Sequence, residues 1–158
     1  MNAKQNVMEA QAKIVDELAA YEDLIATLYT EFSQLVTGMK EFWTGMAREE
    51  KMHASMLRSM HKLLEQGHIF FGIGRFDHEL LQELNGHVRS EINNAQDREV
   101  NRIYALSVAL KIETSLVESR FYEITTSDAP QFKIIAERLC DDTCRHQKTL
   151  QAMVVAGK

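Results

Sequence analysis

Residues 42–57 read FWTGMAREEKMHASML. Trp43, Met46, Ala47, Ala54 and Leu57 recur at three- and four-residue intervals, the spacing of one apolar helix face. Glu50 and His53 fall on that same face. A helix that puts a carboxylate and an imidazole where it otherwise puts core either tolerates two misplaced polar groups or uses them. Residues at i and i+3 have Cβ atoms about 5–6 Å apart, so one rigid helix can aim both at a single point.

Outward from this stretch, helix follows helix. The second helix is predicted from Glu41 to Gln66, stopped by Gly67, and its face continues through Met60 and Leu64. Before it, residues 4–37 contain neither glycine nor proline and predict a first helix from about residue 4 to Val36. Its stripe is Ile14, Leu18, Ile25, Leu28, Phe32 and Leu35, with Gly38 just beyond its end. Residues 67–96 are less regular, broken by Gly67, Gly72, Gly74 and Gly86. Asp77 is suited to cap a short helix through Leu84. A third long helix is expected from Asp97, with Ile103, Leu106, Leu110, Val117 and Phe121 on its stripe. TTSDAP (125–130) turns the chain, and Pro130 suits the first position of a last helix carrying Phe132, Ile135, Leu139, Leu150 and Met153. Short turns imply two antiparallel hairpins, and the long middle segment can join them as a crossover. The expected architecture is a single all-α domain, a four-helix bundle of two antiparallel hairpins joined by a long crossover containing a short helix.

Composition narrows the function classes. Apolar residues make up 45% and charged residues 26% of the 158, and the net charge is −5 with acids and bases interleaved. Such a surface lacks the basic face that nucleic acid requires. No apolar run reaches the eighteen or so residues of a membrane span, and the first eighteen residues lack a signal-peptide centre. Cys140 and Cys144 sit four apart on one predicted helix, as packing residues rather than a cross-link, so a reducing, cytoplasmic setting is expected. There is no CxxC pair and hence no rubredoxin-type centre or zinc knuckle. His61, His68, His78 and His87 follow no ligand spacing, and the tyrosines Tyr21, Tyr29, Tyr104 and Tyr122 read as core or boundary aromatics.

Every long stripe has a gap, and a metal-binding residue type fills each one. Glu22 lies between Leu18 and Ile25, Glu50 and His53 between Met46 and Leu57, Glu113 between Leu110 and Val117, and His146 between Leu139 and Leu150. Asp142 and Thr143 flank the last line, whereas Arg48 and Glu49 are assigned to the solvated face. A buried carboxylate costs several kcal/mol unless paired or bound to a cation. One bound metal site would account for all of these residues together. Oxygen and imidazole donors suit iron or manganese and are too hard a set for copper(I). The chain also repeats itself. YEDLIATLYTEF with FWTGMAREEKMHASML is echoed by IETSLVESRFYEI with IIAERLCDDTCRHQKTL. Glu22 to His53 spans 31 residues and Glu113 to His146 spans 33, the near-symmetry a dinuclear site between hairpins requires.

These residues resemble the ferritin-like diiron-carboxylate superfamily, in its rubrerythrin-like and bacterioferritin-like branch, over about three quarters of the chain. The family pattern is a Glu on each of two helices and Glu-x-x-His on each of the other two. Glu22, Glu113, the pair Glu50 and His53, and His146 match it. Thr143 stands where the second bridging carboxylate would be, with Asp142 one position earlier and on the same side. Leu116 replaces the extra carboxylate of rubrerythrin peroxidases, and no rubredoxin-like tail follows. The resemblance implies metal donors Glu22, Glu50, His53, Glu113, His146 and Asp142, with Glu50 bridging. It implies two iron ions, with manganese or zinc as alternatives and no haem. The implied chemistry is reduction of peroxide or dioxygen, or oxidation of ferrous iron. A separate electron donor and a homo-oligomer, a dimer ahead of a storage cage, would go with it. The competing reading is a non-catalytic helical bundle that keeps a decayed site and serves as a structural or interaction protein.

Overall fold

The structure is a computed structural model that describes residues 3–67, 77–97, 99–119 and 130–157. His68, Gly72, Gly74, Phe121, Tyr122 and the turn before Pro130 lie outside these residues. The chain is all-helical: α1 (Ala3–Leu35), α2 (Lys40–Glu65), α3 (His78–Asp97), α4 (Arg102–Ser119) and α5 (Pro130–Ala156), with no strand among the described residues. No helix among them is long and apolar enough to cross a membrane.

The first two helices form as their sequences dictate. The α1 tract has no breaker until Gly38, which adopts φ +77°, a conformation that favours glycine because a Cβ is disfavoured there. Met39 donates to the Val36 carbonyl at 3.2 Å and accepts from the Trp43 amide at 3.0 Å, so four residues turn the chain into α2. Gly67, at φ +69°, closes the far end by donating to the Leu64 carbonyl at 2.9 Å. Cross-contacts show that α1 and α2 run antiparallel: Glu22 faces His53, Asp23 pairs with Arg58 and Asp16 with His61. Between them lies an aromatic knot. The Trp43 ring centroid is 5.1 Å from Phe32 and 5.4 Å from Tyr29, and all three side chains are fully buried. Leu35, expected in the stripe, is 41% exposed, because the buried face passes from Phe32 to Val36, which is 3% exposed.

Two expectations for the middle of the chain are corrected. Asp77 does cap α3, accepting from the Leu80 amide at 2.9 Å, but the helix continues past Leu84 to Asp97, 20 residues in all. Gly86 lies inside it, its backbone facing open space. The cost of a mid-helix glycine, about 1 kcal/mol, is smaller than the gain from burying Val88 and Ala95 beyond it, on the face begun by Leu81. Asp97 therefore ends α3 rather than starting the next helix. The cap of α4 is Asn101, which accepts from the Tyr104 amide at 2.9 Å. The face of α4 is also turned from the expected one. Ile103 is 62% exposed, while Ala105, Leu106, Ala109, Ile112 and Leu116 are buried. ALSVALKI is apolar nearly all round, so its periodicity has no unique phase.

α5 buries Phe132, Leu139 and Leu150 and packs on α4 and on α2, while α3 lies mainly along α1. α2 and α5 are antiparallel where they meet, with Glu49 opposite Arg145 and His53 opposite Asp142. Cys140 and Cys144 are half-buried with no disulfide.

Candidate metal centre

Glu22 from α1, Glu50 and His53 from α2, Glu113 from α4 and His146 from α5 meet in the interior, each between 0% and 1% exposed. They form two groups, Glu22–Glu50–His53 and Glu50–Glu113–His146, with the donor atoms of each within 4.8 Å of one another. Glu50 belongs to both. Its Oε2 is 2.8 Å from His53 Nδ1 and its Oε1 is 2.9 Å from His146 Nδ1. The outer carboxylates stand slightly farther off, with Glu22 Oε2 3.9 Å from His53 Nδ1 and Glu113 Oε1 3.7 Å from His146 Nδ1. The two imidazole centroids are 5.8 Å apart.

Both histidines turn Nδ1 inward and Nε2 outward, and each outer nitrogen meets a carboxylate from the opposite helix. His146 Nε2 lies 2.6 Å from Glu49 Oε2, and His53 Nε2 lies 3.4 Å from Asp142 Oδ2. Arg145 Nη2 donates to Glu49 and to Asp142, at 2.8 Å each, and Arg138 Nε adds a bond to Asp142 at 2.8 Å. Asp142, expected as a donor to metal, is thus placed behind His53 and belongs to neither group. Its short arm, on the turn before His146, is held outward by the two arginines. Thr143 is buried, and its hydroxyl donates to the Leu139 carbonyl of its own helix at 2.9 Å.

Glu49, Arg145 and Tyr29 are the residues that sequence reading missed. Glu49 was assigned to the solvated face, and it is only partly there. Alignment of the two half-motifs, Glu49-Glu50-x-x-His53 on Asp142-Thr143-x-x-His146, carries the signal, since an acid precedes the inner position in both. Tyr29 donates its hydroxyl to Glu113 Oε1 at 2.7 Å, fixing that carboxylate. The other described histidines lie elsewhere: His61 is 2.7 Å from Asp16, His78 is 2.9 Å from Glu17, and His87 is half-buried within α3.

Electrostatics follow from burial and charge. Burial, with the Glu50 charge adding, pushes the Glu22 carboxyl up to about 8, against the pull of His53. Burial and Glu50 likewise raise Glu113. Burial also works against Glu50, but the two imidazoles outweigh it and draw its carboxyl down to about 2. Burial opposes a charge on either histidine, yet Glu22 and Glu50 lift His53 to about 10, and Glu113 and Glu50 lift His146 to about 11. Asp142 is held below the usual carboxylate range by Arg145 and Arg138 in spite of its burial. In the metal-free protein Glu50 is thus balanced by the two imidazoles themselves.

The residues fit a metal. Glu22 Oε1 and Oε2, Glu50 Oε1, Glu113 Oε2 and His146 Nδ1 are buried without hydrogen-bond partners, and buried polar atoms are normally satisfied. Glu50 Oε1 and His146 Nδ1 are close in distance yet not aligned for a hydrogen bond. Donors at about 2.0–2.2 Å from a shared ion would have this spacing. Carboxylate oxygen with imidazole is a set for iron, manganese or zinc, and carboxylates behind each imidazole orient it and raise its basicity. No protein-family model, curated protein or solved structure matches the chain, so the reading of this centre rests on its own geometry.

Proposed function

We propose that the chain is a ferritin-like protein with a dinuclear non-haem metal centre, of the diiron-carboxylate kind, that reduces peroxide or dioxygen or oxidises ferrous iron. The observation that carries this reading is Glu50, fully buried, with one oxygen against His53 and the other against His146. A carboxylate so placed is suited to bridge two ions, with Glu22 and His53 completing one position and Glu113 and His146 the other. The antiparallel α1–α2 pair, the α4–α5 pair and the intervening α3 support a two-hairpin bundle with a helical crossover. Two ferrous ions in this centre would supply one electron each to the oxidant.

The chain's own residues supply the rest. Glu49 and Asp142 hold the imidazoles with Nδ1 inward, and Tyr29 holds Glu113. The five donors are themselves 0–1% exposed, which keeps bulk water and stray reductants out. Electrons would return from a separate donor protein, and a homodimer is the expected assembly.

Anaerobic titration with ferrous iron tests the proposal. The expected result is two ions bound per chain, a higher melting temperature, and near-ultraviolet absorption of ferric iron once peroxide is admitted. Absence of stoichiometric binding together with an unchanged melting temperature would instead favour a non-catalytic bundle whose buried acids and imidazoles neutralise one another.

A further inference from the structure

Among the inner donor positions and the carboxylates behind the histidines, the two halves of the centre correspond at every position but one. Glu22 answers to Glu113 and His53 to His146. Glu49 answers to Asp142, each meeting the outer nitrogen of the opposite histidine. Glu50, three residues before His53, answers to Thr143, three residues before His146. Thr143 is 3% exposed, and its hydroxyl already donates to the Leu139 carbonyl. It therefore brings no negative charge to the centre, and its oxygen is committed to its own helix.

Charge accounting makes this substitution consequential. Glu22, Glu50 and Glu113 bring three negative charges when ionised, and two neutral imidazoles bring none. Outside them, Glu49 and Asp142 are matched by Arg145 and Arg138. Two divalent cations would leave one positive charge unbalanced among side chains that are 0–1% exposed, and an uncompensated buried charge is strongly disfavoured. The missing group has a defined shape as well as a sign. Glu50 addresses the two histidines with separate oxygens, and a threonine lacks just such a two-oxygen terminus.

We infer that the centre, when it holds two divalent cations, also takes up one small monocarboxylate of formate or acetate size, which supplies the charge and the second bridge that Thr143 does not. This inference rests on the dinuclear reading above. Linkage then requires that carboxylate and metal tighten each other's binding by the same factor. Thr143 is in this sense a selectivity residue, reserving for a free anion the place of a protein carboxylate.

Calorimetric titration with ferrous iron under anaerobic conditions, in carboxylate-free buffer with either formate or chloride at equal ionic strength, tests the inference. Formate is expected to tighten binding of the second ion about tenfold, within the usual range of site coupling. In the zinc-loaded protein, 13C-formate should show a bound NMR signal that vanishes when the metal is chelated. Thr143→Glu should tighten metal binding and abolish the formate dependence. Thr143→Val, which keeps size and neutrality, should retain the dependence. Two ions bound with equal affinity in formate and chloride would overturn the anion site and leave the dinuclear reading intact. Binding of a single ion whatever the anion would also overturn it. Failure to bind any metal would remove the dinuclear reading itself.

Discussion

The α1–α2 hairpin and the α4–α5 pair contribute unequally to the same centre. The first supplies Glu22, Glu50 and His53, and the second supplies Glu113 and His146. The first is also built on large rings, Tyr29, Phe32 and Trp43, where α4 buries Ala105 and Ala109. Yet the outer partners are exchanged evenly, Glu49 of the first pair meeting His146 and Asp142 of the second meeting His53. The difference teaches that donor supply and donor positioning are separate properties. One half can lose a donor while both histidines keep their orientation, because each is oriented by the other half.

The comparison breaks most completely at Glu50. Glu50→Ala removes the carboxylate common to both groups and is expected to abolish binding of both ions, seen as loss of all stoichiometric heat in a metal titration. His53→Ala and His146→Ala should each remove one ion and leave one, a drop from two to one measurable by metal analysis of the dialysed protein.

The exchange of partners is tested by the outer carboxylates. Asp142→Asn and Glu49→Gln should each weaken one ion by about 10–100-fold. Asp142→Asn should add nothing in a His53→Ala background but act fully in a His146→Ala background, the pattern of a pairwise interaction in a double-mutant cycle. Equal effects in both backgrounds would remove the exchange.

Acidity separates the metal-free from the loaded protein. Glu22 titrates at about 8 in the fold against an ordinary 4.5, so the folded chain binds more protons than the unfolded one between these values. His53, lifted from 6.5 to about 10, and His146, lifted to about 11, extend the same sign upward. Stability of the metal-free protein is therefore expected to fall as pH rises from about 5 through 8 and on toward 10. Glu50, drawn down to about 2, acts oppositely, its contribution lost only as pH falls below 4.5. The metal-loaded protein should rise in stability from pH 5 to 7, since the donors bind metal deprotonated. Melting curves of both forms at several pH values check the opposed slopes. The smallest effect belongs to Tyr29→Phe, which deletes the bond to Glu113 and should cost about 1 kcal/mol in denaturant unfolding.

Much of this was legible in the sequence where one face of a helix is apolar and the other is not. Leu18, Ile25, Trp43, Leu57, Leu139 and Leu150 fix three helix phases, and against them Glu22, Glu50, His53 and His146 stand out. Glu113 was found although the surrounding phase was misread, because Ile112 and Leu116 flank it as well as Leu110 and Val117 do. The length of α3 was hidden by Gly86 and by a buried face that Leu81, Val88 and Ala95 mark only once in seven residues. Glu49, Arg145 and Tyr29 were hidden for another reason. Their roles depend on which residue of one helix stands opposite which residue of another, and no periodicity within a single helix encodes that register.

Arg145 binds Glu49 and Asp142 through the same nitrogen, and its side chain is 53% exposed. The two imidazoles therefore share one yoke, anchored where solvent reaches it. Slackening it, by replacement or by salt that competes for the guanidinium, would loosen both positions together rather than one at a time. The tuning of a sealed interior is thus within reach from the surface at a single residue.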